Sequence, residues 1–118
     1  MTWLKDLAFG QHWERIAQQL LPVGEEVVEM PSGKFPDWDF RTTARTYEVK
    51  ADRRAAETGN FFVEFECSGR GSGVATTKAD MWNLFLVRSE EDYELYEIEP
   101  AVLKRLCLES WQFTHGDR

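Results

Sequence analysis

The segment Tyr47-Glu48-Val49-Lys50 alternates apolar and charged residues, and this period of two constrains the fold more than any other stretch of the chain. In an extended segment successive side chains point to opposite faces, so Tyr47 and Val49 take one side of a strand while Glu48 and Lys50 take the other. Such a strand needs an apolar layer against one face and leaves an acid and a base together on the second. Phe35-Pro36-Asp37-Trp38-Asp39-Phe40 precedes it and Phe61-Phe62-Val63-Glu64-Phe65-Glu66 follows, so the region reads as three neighbouring strands. The same alternation puts Asp37 and Asp39 on a common side. Carboxylates gathered at one edge of a sheet are hard oxygen ligands of the kind Mg²⁺ accepts, and a lysine beside them can steady a phosphate or a metal-bound water.

A chain of 118 residues is long enough to bury one core and too short for two, so residues 1–118 are expected to form a single domain. A hydrophobic content of 42%, with eight Phe and five Trp, fits a globular protein. No apolar run reaches the roughly 18 residues of a membrane helix, and the start lacks the pattern of a secretory signal. A cytoplasmic location is the expectation. Cys67 and Cys107 lack metal-site spacing and read as free core thiols; His12 and His115 stand apart near the two ends and read as surface or satisfied histidines.

The net charge of −7 argues against nonspecific coating of nucleic acid, an affinity that comes mainly from Lys and Arg neutralising phosphates. The distribution qualifies that sum. Arg41, Arg45, Lys50, Arg53 and Arg54 supply five of the fourteen basic residues within positions 41–54, which marks this segment as the expected phosphate-facing edge. Lys78, with Thr77 and Asp80, is a candidate for shaping a substrate entrance, against the alternative that Thr77 simply caps a helix. The acids from Glu90 to Glu99 read as a solvated face.

Helical spacing of apolar residues runs from Trp3 to about Leu21, with Gly10 as a potential break, and Pro22 and Gly24 end the segment. Glu25 to Met30 reads as a strand or extended approach and positions 31–34 as a turn. Strands are then expected at 35–41, 45–51 and 61–67, a loop at 68–73, a short helix from Thr76 or Thr77 through Met81, and strands at 82–87 and 93–98. Pro100 suits the first turn of a helix over 101–108, and an edge segment could follow around Trp111 to Phe113. The apolar side of helix 101–108 can pack on the sheet, the preferred reading, or form a homodimer interface. The Trp residues read mostly as core, with Trp38 or Trp82 as alternatives for stacking on a base.

The order of helix, strands and helix, together with Pro36-Asp37 and Glu48-Val49-Lys50, resembles the PD-(D/E)xK nuclease superfamily. A closer similarity is to small phage-type nuclease-like proteins. It is carried by Glu48 to Asp52, Thr58-Gly59-Asn60, Phe61 to Glu64, Ser72-Gly73 and Thr76-Thr77-Lys78-Ala79-Asp80 followed by Trp82, and covers roughly residues 10 to 87. The resemblance implies an α/β (α+β) fold with a restriction-endonuclease-like core, a central mixed β-sheet flanked by helices. It also implies Mg²⁺ (or Mn²⁺) as cofactor, with Asp39 and Glu48 as metal ligands and Lys50 orienting the attacking water or contacting the scissile phosphate. Asp37 competes with Asp39, which is favoured because it stands nine residues before Glu48 within the expected strand. Glu14 occupies the place of a helical Glu that often completes such sites. Glu64 and Glu66 are further candidates, set against simple solvent-facing alternation.

The function these readings imply is metal-dependent hydrolysis of phosphodiester bonds in DNA, in a host cytoplasm if the chain is phage-encoded. Two alternatives stand beside it. One is a noncatalytic protein of the same fold that engages a host protein through its acidic surface, and the other is a hydrolase of a small nucleotide phosphate ester.

Overall fold

Trp13 and Ala17 lie one helical turn apart and are both 1% exposed, which makes them the anchor of the first element, α1 (Thr2–Gln19). The computed structural model describes residues 2–31, 37–53 and 77–105. The expected turn at 32–34, strand at 61–67, glycine-containing loop and edge segment at 111–113 lie outside the described residues. So do Arg54, Glu64, Glu66, Cys67, Cys107 and His115.

Helix α1 runs through Gly10 without interruption. Glycine inside a helix costs about 1 kcal/mol relative to alanine, an amount the packing of Trp13 readily outweighs. The helix stops before Pro22. Gly24 then takes a φ of +91°, in the left-handed region open to glycine, within the turn where Glu25 N–H donates to the Pro22 carbonyl (3.1 Å).

The strands β1 (Val27–Glu29), β2 (Phe40–Thr42), β3 (Thr46–Asp52), β4 (Met81–Val87) and β5 (Tyr93–Ile98) form one five-stranded sheet in the order β1-β2-β3-β4-β5. Neighbours are antiparallel except β3 and β4, which run parallel with Glu48 opposite Trp82 and Lys50 opposite Leu84. Parallel strands need a long crossover, and residues 53–80 make that connection. A second helix, α2, includes residues 100–105. Among the described residues the fold is therefore α+β with a mixed sheet and two helices, and neither helix is long and apolar enough to cross a membrane.

The sheet separates two apolar layers. On one face Trp13 and Ala17 of α1 pack with Phe40, Tyr47, Val49, Phe85 and Val87, with Phe9, Ile16 and Tyr93 at the margin. On the other, Leu103 of α2 joins Ala79, Trp82 and Leu84, flanked by Trp38 and Ile98. The side of α2 that carries Leu103 thus packs on the sheet.

Two expectations change. Residues 37–39 are a bend rather than part of a strand, and β2 is confined to Phe40–Thr42. No helix forms across 77–81, because its residues are engaged elsewhere. Asp80 Oδ2 accepts from Thr46 N–H (2.9 Å) and Thr46 Oγ1–H (3.0 Å), while Asp80 N–H donates to Thr46 Oγ1 (2.9 Å). Thr77 Oγ1 meanwhile accepts from Trp82 Nε1–H (2.9 Å) and Ala79 N–H (3.2 Å). These contacts fasten the start of β4 to the start of β3 and so set the parallel register.

Candidate active site at the β2–β3 fork

Strand β2 pairs with β3 only at Phe40–Tyr47 and Arg41–Thr46, and beyond Phe40 the ladder passes to Asp39. Asp39 N–H donates to the Tyr47 carbonyl (2.8 Å), and its Oδ2 accepts from Val49 N–H (2.7 Å). The carboxylate thereby stands in for the next residue of a strand. It satisfies a backbone donor that would otherwise be left unpaired where the two strands diverge.

This position lies in the plane of the sheet and is influenced from both faces. Burial pushes the Asp39 carboxyl above its ordinary value, while the Val49 hydrogen bond and the charge of Lys50 pull it down. The charge of Asp39 in turn acts on Glu14 of α1. Burial first, and then Asp39, raise the Glu14 carboxyl to about 7, against a lowering by Arg15. On the α2 side of β3, Glu48 and Lys50 stand next to each other with Lys50 Nζ 3.5 Å from Glu48 Oε2. The alternation of β3 produces this arrangement directly, since Tyr47 and Val49 are buried beneath α1 and Glu48 and Lys50 are half-buried on the reverse.

Asp37 is exposed and pairs with Lys78 at 4.0 Å, also exposed. The charge of Asp39 thus acts on Glu14 and feels that of Lys50, from a bend and not from the strand that the sequence suggests.

Among the described residues, no three acidic, cysteine or histidine side chains converge as a ready-made metal-binding group. Glu14 and Asp39 instead act on each other through their charges, with Arg15 and Lys50 as the neighbouring cations, while Glu48 is engaged by Lys50. Mg²⁺ commonly takes one or two protein carboxylates and completes its shell with waters and substrate phosphate oxygens. The Glu14–Asp39 pair fits that requirement as a donor set.

The basic residues do not make one surface. Arg41 bonds Glu29 at 3.1 Å on the β1–β2 side of the sheet. Arg45 lies in the β2–β3 turn near Glu25; burial raises the Glu25 carboxyl, but hydrogen bonds from Thr42 and Tyr47, with the charge of Arg45, outweigh it and hold the group low. Arg53 stacks on Phe9, with its guanidinium carbon 4.4 Å from the ring centroid. Arg45 and Arg53 flank the seven residues of β3, which sets them about 26 Å apart along the chain at the usual strand rise. Trp82 is 1% exposed and is core, not a platform for a base, whereas Trp38 is half-buried at the edge of the same cluster. His12 is half-buried and meets Trp13 edge-on, with ring centroids 5.1 Å apart. The engagement of Trp82 by Thr77, and its proximity to Lys50, have no local sequence signature beyond the presence of these residue types.

The raised Glu14 carboxyl has a measurable consequence for the metal-free protein. Its folded value of about 7 exceeds the ordinary 4.5, so between those values the folded state holds a proton that the unfolded state releases. Stability is therefore expected to fall as pH rises through that interval, with the full cost present above it. Glu14→Gln should remove this slope and stabilise the protein at pH 8 by about 1–2 kcal/mol, since solvent screening at a half-exposed carboxyl reduces the roughly 3 kcal/mol of the unscreened shift. Urea denaturation of both proteins at pH 5 and pH 8 measures the effect, and parallel stability curves would refute it.

The chain matches no protein-family model, no curated protein and no solved structure.

Proposed function

We propose that this protein is a metal-dependent nuclease of the restriction-endonuclease-like type that hydrolyses phosphodiester bonds in DNA. The observation that carries the reading is the position of Asp39 at the β2–β3 fork, electrostatically coupled to Glu14 and Lys50, with Glu48 beside Lys50. The element order is a second support. A helix precedes an antiparallel β1-β2-β3 unit, and a crossover then leads to a strand parallel to β3.

In this reading Glu14 and Asp39 would hold the cation, and Lys50, steadied by Glu48, would support the charge that develops on the phosphate. A bound Mg²⁺ or Mn²⁺ supplies a water of lowered pKa and neutralises phosphate charge. The protein's own contribution is orientation. Asp39 is fixed by two ladder contacts, while Glu48 and Lys50 are fixed by the pleat of β3.

Hydrolysis of a small nucleotide phosphate ester is a second reading, favoured by the dispersal of Arg41, Arg45 and Arg53, because a small ester needs no continuous basic track. The deciding experiment incubates labelled single-stranded, duplex and branched DNA, and in parallel small nucleotide esters, with Mg²⁺ or Mn²⁺. DNA cleavage that is lost in folded Lys50→Ala and Glu48→Ala variants supports the nuclease. Turnover of the small esters alone transfers the site to the second reading, and failure to turn over any of these substrates refutes both.

A further inference from the structure

An ammonium that supports a developing phosphate charge must be held in place, and the rotamer entropy of a lysine side chain opposes that. The ion pair of Lys50 with Glu48 is a long one. Their separation of 3.5 Å exceeds the 2.7–2.9 Å typical of a direct charge-assisted hydrogen bond. A second group lies against the same ammonium, because Lys50 Nζ is 5.8 Å from the centroid of the Trp82 ring, within cation–π range.

The indole is itself immobile. Trp82 is 1% exposed, stands opposite Glu48 in the β3–β4 register and packs with Ala79, Leu84 and Leu103. Its Nε1–H donates to Thr77 Oγ1 at 2.9 Å, which fixes the rotation of the ring in its plane. Glu48 cannot serve a divalent cation and Lys50 at full strength together, but a neutral ring competes for neither.

We propose that Trp82, oriented by Thr77, is a positioning residue that holds the Lys50 ammonium at the phosphate-facing side of the site. This rests on the role given to Lys50 in the proposed function, and its test has one arm that does not depend on activity. In that arm, NMR of protein labelled at lysine should place the Lys50 εCH₂ protons upfield of the other lysines through the ring current. The displacement should persist in Trp82→Phe and disappear in Trp82→Leu. In the kinetic arm, loss of a cation–π contact of ordinary strength corresponds to a fall in kcat of about 3- to 30-fold, with KM little changed. Trp82→Leu should show the full fall and Trp82→Phe a partial one, at matched folding stability.

Thr77→Val, which keeps the ring and removes its anchor, guards against misfolding of the Trp82 variants. It should lower kcat in the same direction, with Thr77→Ser restoring it. Lys50 resonances at ordinary lysine positions in the natural protein, or a kcat that follows stability and ignores the aromatic character of residue 82, would overturn the proposal. If the natural protein cleaves nothing while its Lys50 protons are displaced as described, the contact stands and the nuclease reading fails.

Discussion

Replacing Asp39 by Asn is expected to reduce the proposed metal-dependent cleavage by at least about 10²-fold, the scale of removing a group that acts directly at a reacting centre, while leaving the fold intact. The separation of effects follows from geometry. Asp39 Oδ2 accepts from Val49 N–H, and an Asn carbonyl oxygen can accept the same bond, so the ladder survives while the negative charge is lost. Asp37→Asn supplies the contrast: an exposed ion pair at 4.0 Å contributes little, and its loss should leave activity within a factor of about five. Cleavage assays on the two variants, with thermal unfolding as a control, decide between the acids. Full activity in Asp39→Asn would remove this residue from the chemistry, and a large loss in Asp37→Asn would move the site along the bend.

The largest expected change in stability comes from Trp13→Ala. Trp13 is 1% exposed, with ring centroids of Phe85 and Tyr93 each 4.9 Å away, and it joins α1 to β4 and β5. Truncating a buried Trp costs about 3–5 kcal/mol through lost burial and the cavity left behind. That is a large part of the 5–15 kcal/mol by which a domain of this kind is stable. Chemical denaturation should therefore show a strongly lowered midpoint. Because Glu14 is the next residue on the helix, weakening this contact should also loosen the Glu14–Asp39 pair before the sheet unfolds. A loss below 1 kcal/mol would mean that α1 is held to the sheet by something other than Trp13.

Local periodicity made several elements legible. The spacing of Trp13, Ile16 and Ala17 announces α1, and the alternation of Tyr47, Glu48, Val49 and Lys50 announces β3 together with the face each residue takes. The placement of Glu48 beside Lys50 follows from the same period of two. What escaped local reading was decided by distant partners. Thr77 to Met81 carries a helix-cap signal, yet Asp80 bonds Thr46 across 34 residues and Thr77 takes the Trp82 indole, so an extended approach to β4 wins. Asp37 to Asp39 alternates like a strand but bends, because the Asp39 side chain itself takes up a ladder position at Val49. The basic run from Arg41 to Arg53 looks continuous in the chain and is drawn apart in space by the length of β3.

The ladder role of Asp39 bears on how lineages carrying this chain should be interpreted. Its carboxylate closes the β2–β3 pairing whether or not any substrate is ever bound. A descendant lacking the proposed hydrolysis would still be under selection for an acceptor at this position, with Asn as the tolerated replacement. Persistence of an acceptor there would record the architecture of the sheet, and replacement of the acid by Asn would be the sign that the proposed hydrolysis had lapsed.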